Sequence, residues 1–206
     1  NSRVRPTAMT LRQTLASLPR DARDTLFLLF VIVWVITPQV SNLPVWTSVL
    51  AGGLLLWRGW LAWAGRPLPG RWTVAALLVV AVAGTLLTHR TILGRDAGVT
   101  LIVMLLALKT LELRARRDAM VVFFLGFFVL LSNFFYSQSL PIAVAMVLGL
   151  MGLLTALVNA HMTAGKPPLL QALRTVSGLA LWGAPVMVAL FLFFPRMAPL
   201  WGVPSD

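Results

Sequence analysis

The sequence predicts an all-α, polytopic membrane helix bundle of about seven transmembrane helices, with the N-terminus cytoplasmic and the C-terminus periplasmic. Three observations predict it. Of 206 residues, 59% are hydrophobic and only 11% are charged, unlike a soluble domain. The apolar residues fall in long continuous runs, not in the alternation of a β-barrel. The basic residues gather between alternate runs, as positive-inside sorting requires. That sorting accounts for the net charge of +11, so no nucleic-acid partner is expected.

Residues 1–23 form a basic tail in which Leu11, Leu15 and Leu18 share one helical face. A short interfacial helix and a frayed tail explain that spacing equally well. The apolar Thr25–Thr37 is followed by Pro38-Gln39-Val40-Ser41-Asn42, which offers no small-x-small cleavage site. It therefore reads as a retained first helix, from about Asp24 to Ile36, stopped by Pro38. Helix two follows Pro44 and reaches about Ala64. Its Arg58, among Trp57, Trp60 and Trp63, is expected to snorkel to the inner membrane interface. Gly65–Arg71 reads as a rigid turn, and helix three runs from Trp72 to about Thr88.

Helix four is the stretch Arg95–Asp118. An uncharged run, Ala97–Leu108, separates Arg95-Asp96 from a dense charge cluster at the far end. Read as one helix it spans about 34 Å at ~1.5 Å per residue, about one bilayer. Helix five, Ala119 to about Tyr136, is rich in phenylalanine, and helix six runs from Pro141 to about Asn159. Gly152, Ala156 and Ala160 form a small-residue ridge that would admit another helix, in this chain or in a homo-oligomer. Leu169–Val176 reads as an interfacial lead-in to helix seven, Ser177–Phe194, kinked at Pro185. The bundle thus occupies residues 24–196, and residues 197–206 read as a periplasmic exit toward a further domain beyond Asp206.

Charge tests the count of seven. With the N-terminus inside, all of the 17 lysines and arginines lie inside except Arg90, Arg95 and Arg196. If helix one did not span, Arg3, Arg5, Arg12, Arg20 and Arg23 would move outside and the bias would vanish.

The same residues limit the chemistry. The chain has no cysteine, hence no thiolate nucleophile or thiolate metal site. Its six acids, Asp21, Asp24, Asp96, Glu112, Asp118 and Asp206, all fall at helix ends or in loops. An ion-coupled transporter would place an ionisable group at membrane depth. His89 and His161 are expected on opposite sides, so they share no metal. No catalytic set, cofactor or metal site is expected.

Two polar constellations remain. Lys109, Glu112 and Arg116, at i, i+3 and i+7, form with Asp118 a cytoplasmic-side cluster, read either as a solvated cap or as an inter-helix latch. Arg95, Asp96, Asn133, Tyr136, Gln138 and Arg196 would face the periplasm, read either as interfacial anchors or as a docking platform.

Four motifs make the sequence resemble a known family. LLALKTLELRARRD (Leu105–Asp118), FLGFFVLLSNFFYSQSL (Phe124–Leu140), LFFPRMAPLWG (Leu192–Gly202) and GRDAG (Gly94–Gly98) resemble the N-terminal membrane domain of bacterial TgpA-type transglutaminase-like proteins. The resemblance implies a larger inner-membrane protein with a covalently linked periplasmic transglutaminase-like domain. Such a domain works through a Cys-His-Asp triad, a thiolate paired with an imidazole base. It further implies that this segment is an anchor and scaffold holding that domain near membrane or cell-wall substrates. Arg95, Asp96, Tyr136, Gln138 and Arg196 are the residues expected to contact it. The competing expectation is a transporter or lipid-handling bundle, with a polar cavity lined by Arg95, Asp96, Asn133 and Gln138.

Overall fold

Proline and glycine punctuate the chain into helices. The structure, a computed structural model, describes residues 19–90, 94–114, 116–137, 139–161 and 169–193, the side chains of Arg20, Arg116 and 190–193 excepted. Among the described residues there are seven α-helices and no strand.

Pro19 precedes α1 (Arg20–Ile36), whose first turn carries Asp21 against the positive end of the helix dipole. That start lies four residues ahead of the expected Asp24. Pro38 ends α1 as expected, through a 3-10 turn at Thr37–Gln39. Pro44 opens α2 (Val45–Trp63). Its end is a Schellman closure: Gly65 takes φ +61° and the Arg66 amide donates to the Leu61 carbonyl at 3.0 Å. Then come α3 (Arg71–His89) and α4 (Arg95–Leu111). They are followed by α5 (Arg116–Ser132), with a 3-10 turn at Asn133–Phe135, and α6 (Leu140–His161). The last is α7 (Leu169–Phe193).

Five helices form the centre. α4 packs between α2, α3 and α5, while α1 packs on α2, α5 and α6. α5 also packs on α6, so α1, α2, α4, α5 and α6 close a ring, with α3 leaning on α4 and α7 on α6. The burial pattern follows this order. Val103, Leu106, Ala107 and Leu111 of α4 and Ile32 and Val35 of α1 are fully buried. On α3 and α7, Leu87, Leu179, Trp182 and Met187 point outward. The Phe-rich face of α5 also turns outward at Phe124 and Phe128.

Four stretches among the described residues are long and apolar enough to cross a membrane: Arg71–His89, Arg117–Phe135, Leu140–His161 and Leu169–Ala189. At 17 residues each, α1 and α4 are shorter than those four, and α4 is enclosed by neighbouring helices.

Three expectations change. Arg95–Asp118 is not one helix: α4 stops at Leu111 and α5 begins at Arg116. The Asp118 carboxylate reaches back to accept the Arg114 amide at 3.1 Å, which starts a new helix there. The lead-in and the last helix are instead continuous, because α7 runs unbroken from Leu169 through Pro185 to Phe193. Finally, the small-residue ridge is occupied within the chain. A Cβ at Gly152 would stand 2.9 Å from a Val31 methyl of α1, so this surface no longer argues for a homo-oligomer.

That contact yields a test. Gly152→Ala should destabilise the bundle by about 1–3 kcal/mol through overpacking. Val31→Ala in the same chain should recover part of the loss in a double-mutant cycle, read by thermal unfolding in detergent.

Candidate functional site

The helices alternate in direction, so their polar ends collect in two groups. At one end, the first turn of α4 meets the 3-10 turn that follows α5. Tyr136 donates its hydroxyl to Asp96 Oδ1 at 2.7 Å, and Arg95 Nε donates to the same oxygen at 3.3 Å. Arg95 also reaches the Phe135 carbonyl at 3.4 Å, and its guanidinium lies 4.9 Å from the Tyr136 ring centroid. The Asp96 carboxyl precedes the apolar run that opens at Ala97. The Tyr136 hydroxyl holds it below the usual carboxylate range against the opposing pull of desolvation, with Arg95 adding to the lowering. Burial, and then Asp96, push the Tyr136 phenol up to about 12. The cluster can hold and orient a polar surface but presents no nucleophile. His89 is drawn into the same end by its contact with Thr100 at 3.2 Å.

At the opposite end, Lys109 ties α4 to α5. Its Nζ lies 3.2 Å from Glu112 Oε2 and 3.5 Å from Asp118 Oδ1. Glu112 terminates α4 and is 43% exposed, whereas Asp118 is 13% exposed, so the inter-helix bridge is the shielded one. Arg114 adds a third tie by donating to the Pro69 carbonyl in the α2–α3 turn at 3.0 Å. Arg116 opens α5 instead of continuing the Lys109–Glu112 helix face, so the expected i, i+7 alignment does not form.

The structure therefore brings together Arg95, Asp96 and Tyr136, and separately Lys109, Glu112 and Asp118. Gln138 and Arg196 lie outside the described residues, as does the side chain of Arg116. Asn133 belongs to a different set from the one expected. It is buried and donates to the Val129 carbonyl at 3.3 Å.

Two polar ties escaped the sequence reading. Gln39 is fully buried, and its amide donates to the Val129 carbonyl at 3.0 Å and to the Ser132 hydroxyl, pinning α1 to the end of α5. Arg58 does not snorkel to an interface. It is 7% exposed and donates to the Thr110 carbonyl in the last turn of α4 at 3.0 Å, where a cation offsets the negative end of the helix dipole. A lone arginine inside an apolar helix, and a glutamine directly after a helix-stopping proline, were the available signals.

Two concavities among the described residues are apolar. One groove of about 570 Å³ runs between α1, α6 and α7, and another of about 550 Å³ runs between α1 and α2. Neither is lined by Arg95, Asp96 or Asn133. Among the described residues no three His, Cys, Asp or Glu side chains gather where they could hold a metal.

The architecture and its polar ends can be set against known proteins. The TgpA N-terminal domain family matches residues 27–206. The chain belongs to this family. It is also 35% identical, over 188 residues, to a protein-glutamine gamma-glutamyltransferase of Pseudomonas aeruginosa. That match covers 91% of this chain and 28% of the relative, so the chain spans little more than a quarter of that protein's length. No solved structure matches.

Within this TgpA N-terminal domain, the motif segments carry both clusters: Leu105–Asp118 holds the lysine bridge, Gly94–Gly98 holds Arg95-Asp96, and Phe124–Leu140 holds Tyr136.

Burial ranks the ties. Asp118→Asn should cost about 1–3 kcal/mol, because it weakens a shielded bridge and a helix-start bond together. Glu112→Gln should cost no more than ~1 kcal/mol, since its pair is exposed. Thermal unfolding of both variants in one detergent measures the difference. At the other end, a depressed Asp96 pKa stabilises the fold above the ordinary carboxylate value of ~4, and that contribution is lost as pH falls through the depressed value. Tyr136→Phe should therefore lower stability near neutral pH and converge with the parent protein in strong acid, as read from unfolding at a series of pH values.

Proposed function

We propose that this domain is the inner-membrane anchor and scaffold of a larger protein whose periplasmic domain is transglutaminase-like and works through a Cys-His-Asp set. The observation that carries the proposal is the family membership, joined to a gamma-glutamyltransferase relative far longer than the chain. In this reading residues 1–23 are a cytoplasmic basic tail, residues 24–196 cross the bilayer seven times, and residues 197–206 lead into the periplasm. The charge census supports that orientation. So does the fold, in which the Gly65–Gly70 turn and the α4–α5 connection, carrying Arg66, Lys109, Arg114 and Arg117, share the end opposite Arg95. The shorter α1 and α4 suit interior spans, whose surroundings are protein more than lipid.

Arg95, Asp96, Tyr136, Gln138 and Arg196 are proposed to contact the periplasmic domain. Lys109, Glu112, Arg116 and Asp118 are proposed to hold the inner helix ends together. An anchor of this kind confines the enzyme to a thin layer beside membrane or cell-wall substrates and raises its effective concentration there. The catalytic groups would belong to the tethered domain, since no thiol exists in this segment.

Topology tests the reading. Alkaline phosphatase fused after Trp201 should be active and β-galactosidase inactive, with the reverse at Gly70 and Arg116. A periplasmic Gly70 or a cytoplasmic Trp201 would overturn the seven-span arrangement.

A further inference from the structure

At Gly59 of α2 the first two helices come together. A Cβ there would lie 3.7 Å from a Leu29 methyl and 3.9 Å from a Leu26 methyl of α1. Beside that contact runs the apolar groove of about 550 Å³, walled by Leu26, Phe30 and Val33 of α1 and by Leu56, Trp60 and Trp63 of α2. Gly52 stands at its far end, where a Cβ would meet nothing within 4 Å. From Gly52 to Trp63 the groove follows α2 for about 16 Å at ~1.5 Å per residue, close to half of a ~30 Å hydrocarbon core. It is open to the side, since Phe30 is 65% exposed and Leu56 78%.

The Trp63 end carries charge. Trp60 and Arg66 are too far apart in sequence to share the face of a straight helix. The closure at Gly65 turns the chain back, and the Arg66 guanidinium comes to lie 5.0 Å from the Trp60 ring centroid. Trp60 is itself a half-exposed wall of the groove, so Arg66 stands one indole ring from the slot. Arg66 is exposed, and among the described residues no oxygen accepts from its guanidinium. Its surroundings are basic. Arg71 opens α3 and is exposed, Arg114 is held to the Pro69 carbonyl at 3.0 Å, and the turn from Gly65 to Arg71 contains no acid. Of the carboxylates at this end, Glu112 and Asp118 are paired with Lys109. By helical period Asp21 and Asp24 fall on the side of α1 away from Leu26, Phe30 and Val33.

We infer that this groove is a binding site for one anionic phospholipid of the inner leaflet. An acyl chain lies along Gly52, Leu56 and Phe30, and the phosphate diester accepts from the Arg66 guanidinium. An arginine already held on an indole face loses little further freedom when it takes a phosphate. A zwitterionic headgroup would bring an ammonium among arginines with no free carboxylate to receive it, so the site favours a headgroup whose phosphate is its whole charge. The inference rests on the bilayer-spanning reading, with the Gly65–Arg71 turn on the inner side, for the supply of lipid, but not on any downstream domain.

The test is native mass spectrometry of the full chain released from detergent, with added phosphatidylglycerol or phosphatidylethanolamine of identical acyl chains. One phosphatidylglycerol should be retained at about tenfold higher occupancy than phosphatidylethanolamine, and Arg66→Gln should erase most of that factor. Arg71→Gln, at the same end but outside the groove, should leave the preference within about twofold of the parent. Gly52→Leu, which fills the far end of the slot, should lower the retention of both lipids. Circular dichroism checks that each variant keeps its helices. Equal retention of the two lipids overturns the site, and so does an equal loss in Arg66→Gln and Arg71→Gln, the mark of general attraction to a basic surface. Reporter fusions that placed Gly70 in the periplasm while selective binding persisted would overturn the orientation alone.

Discussion

A polar group buried among apolar helices needs a partner within the protein, and this constraint shapes the buried polar ties between helices. Several of the ties share one solution: a side-chain donor from one helix or its adjoining turn reaches a backbone carbonyl of another. Gln39 takes Val129, Arg58 takes Thr110 and Arg95 takes Phe135, each at or near the C-terminal end of its partner, where carbonyls lack an intrahelical amide. Trp34 does the same on α6 by donating to the Ala145 carbonyl at 2.9 Å. Some threonines inside the helices turn back on carbonyls of their own helix, as Thr85 does on Ala81 and Thr155 on Met151.

This pattern separates the packed middle from the two ends. Between the ends, contact is made by shape: Gly126 faces Leu153 and Gly152 faces Val31. Removing side chains at those points lets stiff or bulky neighbours settle against the backbone, which is where van der Waals packing, and not a hydrophobic force, holds membrane helices. The ring of α1, α2, α4, α5 and α6 is thereby tied at both ends and filled in the middle, a construction suited to holding a neighbour in place. Charge left over at the ends is used locally. Lys109 serves two carboxylates, and Asp96 is shared by Arg95 and Tyr136.

The two grooves that the described residues line, one between α1, α6 and α7 and one between α1 and α2, are apolar. The bundle's polar chemistry lies at the ends, one of which an anchored domain would meet first. The two flanking helices have another part. Because α7 touches α6 more than α1, an apolar groove opens between these three helices.

Much of this was legible in the residues. Prolines 38 and 44 and the turn that opens at Gly65 mark helix boundaries by mechanisms that act over a few residues, and continuous apolar runs identify the helices themselves. The motif segments identify the family and carry both end clusters. Other features depended on which helices meet. The break after Leu111 is made by Asp118 capturing the Arg114 amide and Lys109, a choice between one long helix and two that local propensity does not settle. The ridge at Gly152 announced a close contact but not with whom, since small residues admit a helix of the same chain and of another equally well. Arg58 looked like an interfacial cation and Gln39 carried no expectation of its own; both became internal ties only when α4 and α5 placed open carbonyls beside them. Composition and spacing thus determined that the chain is a helical membrane-type bundle and the bounds of most of its helices to within a few residues, the end of α4 and the start of α7 excepted. The pairing of helices, and with it the partner of each buried polar group, was decided by three-dimensional packing, because a hydrogen bond between residues 52 or 90 positions apart leaves no periodicity in the chain.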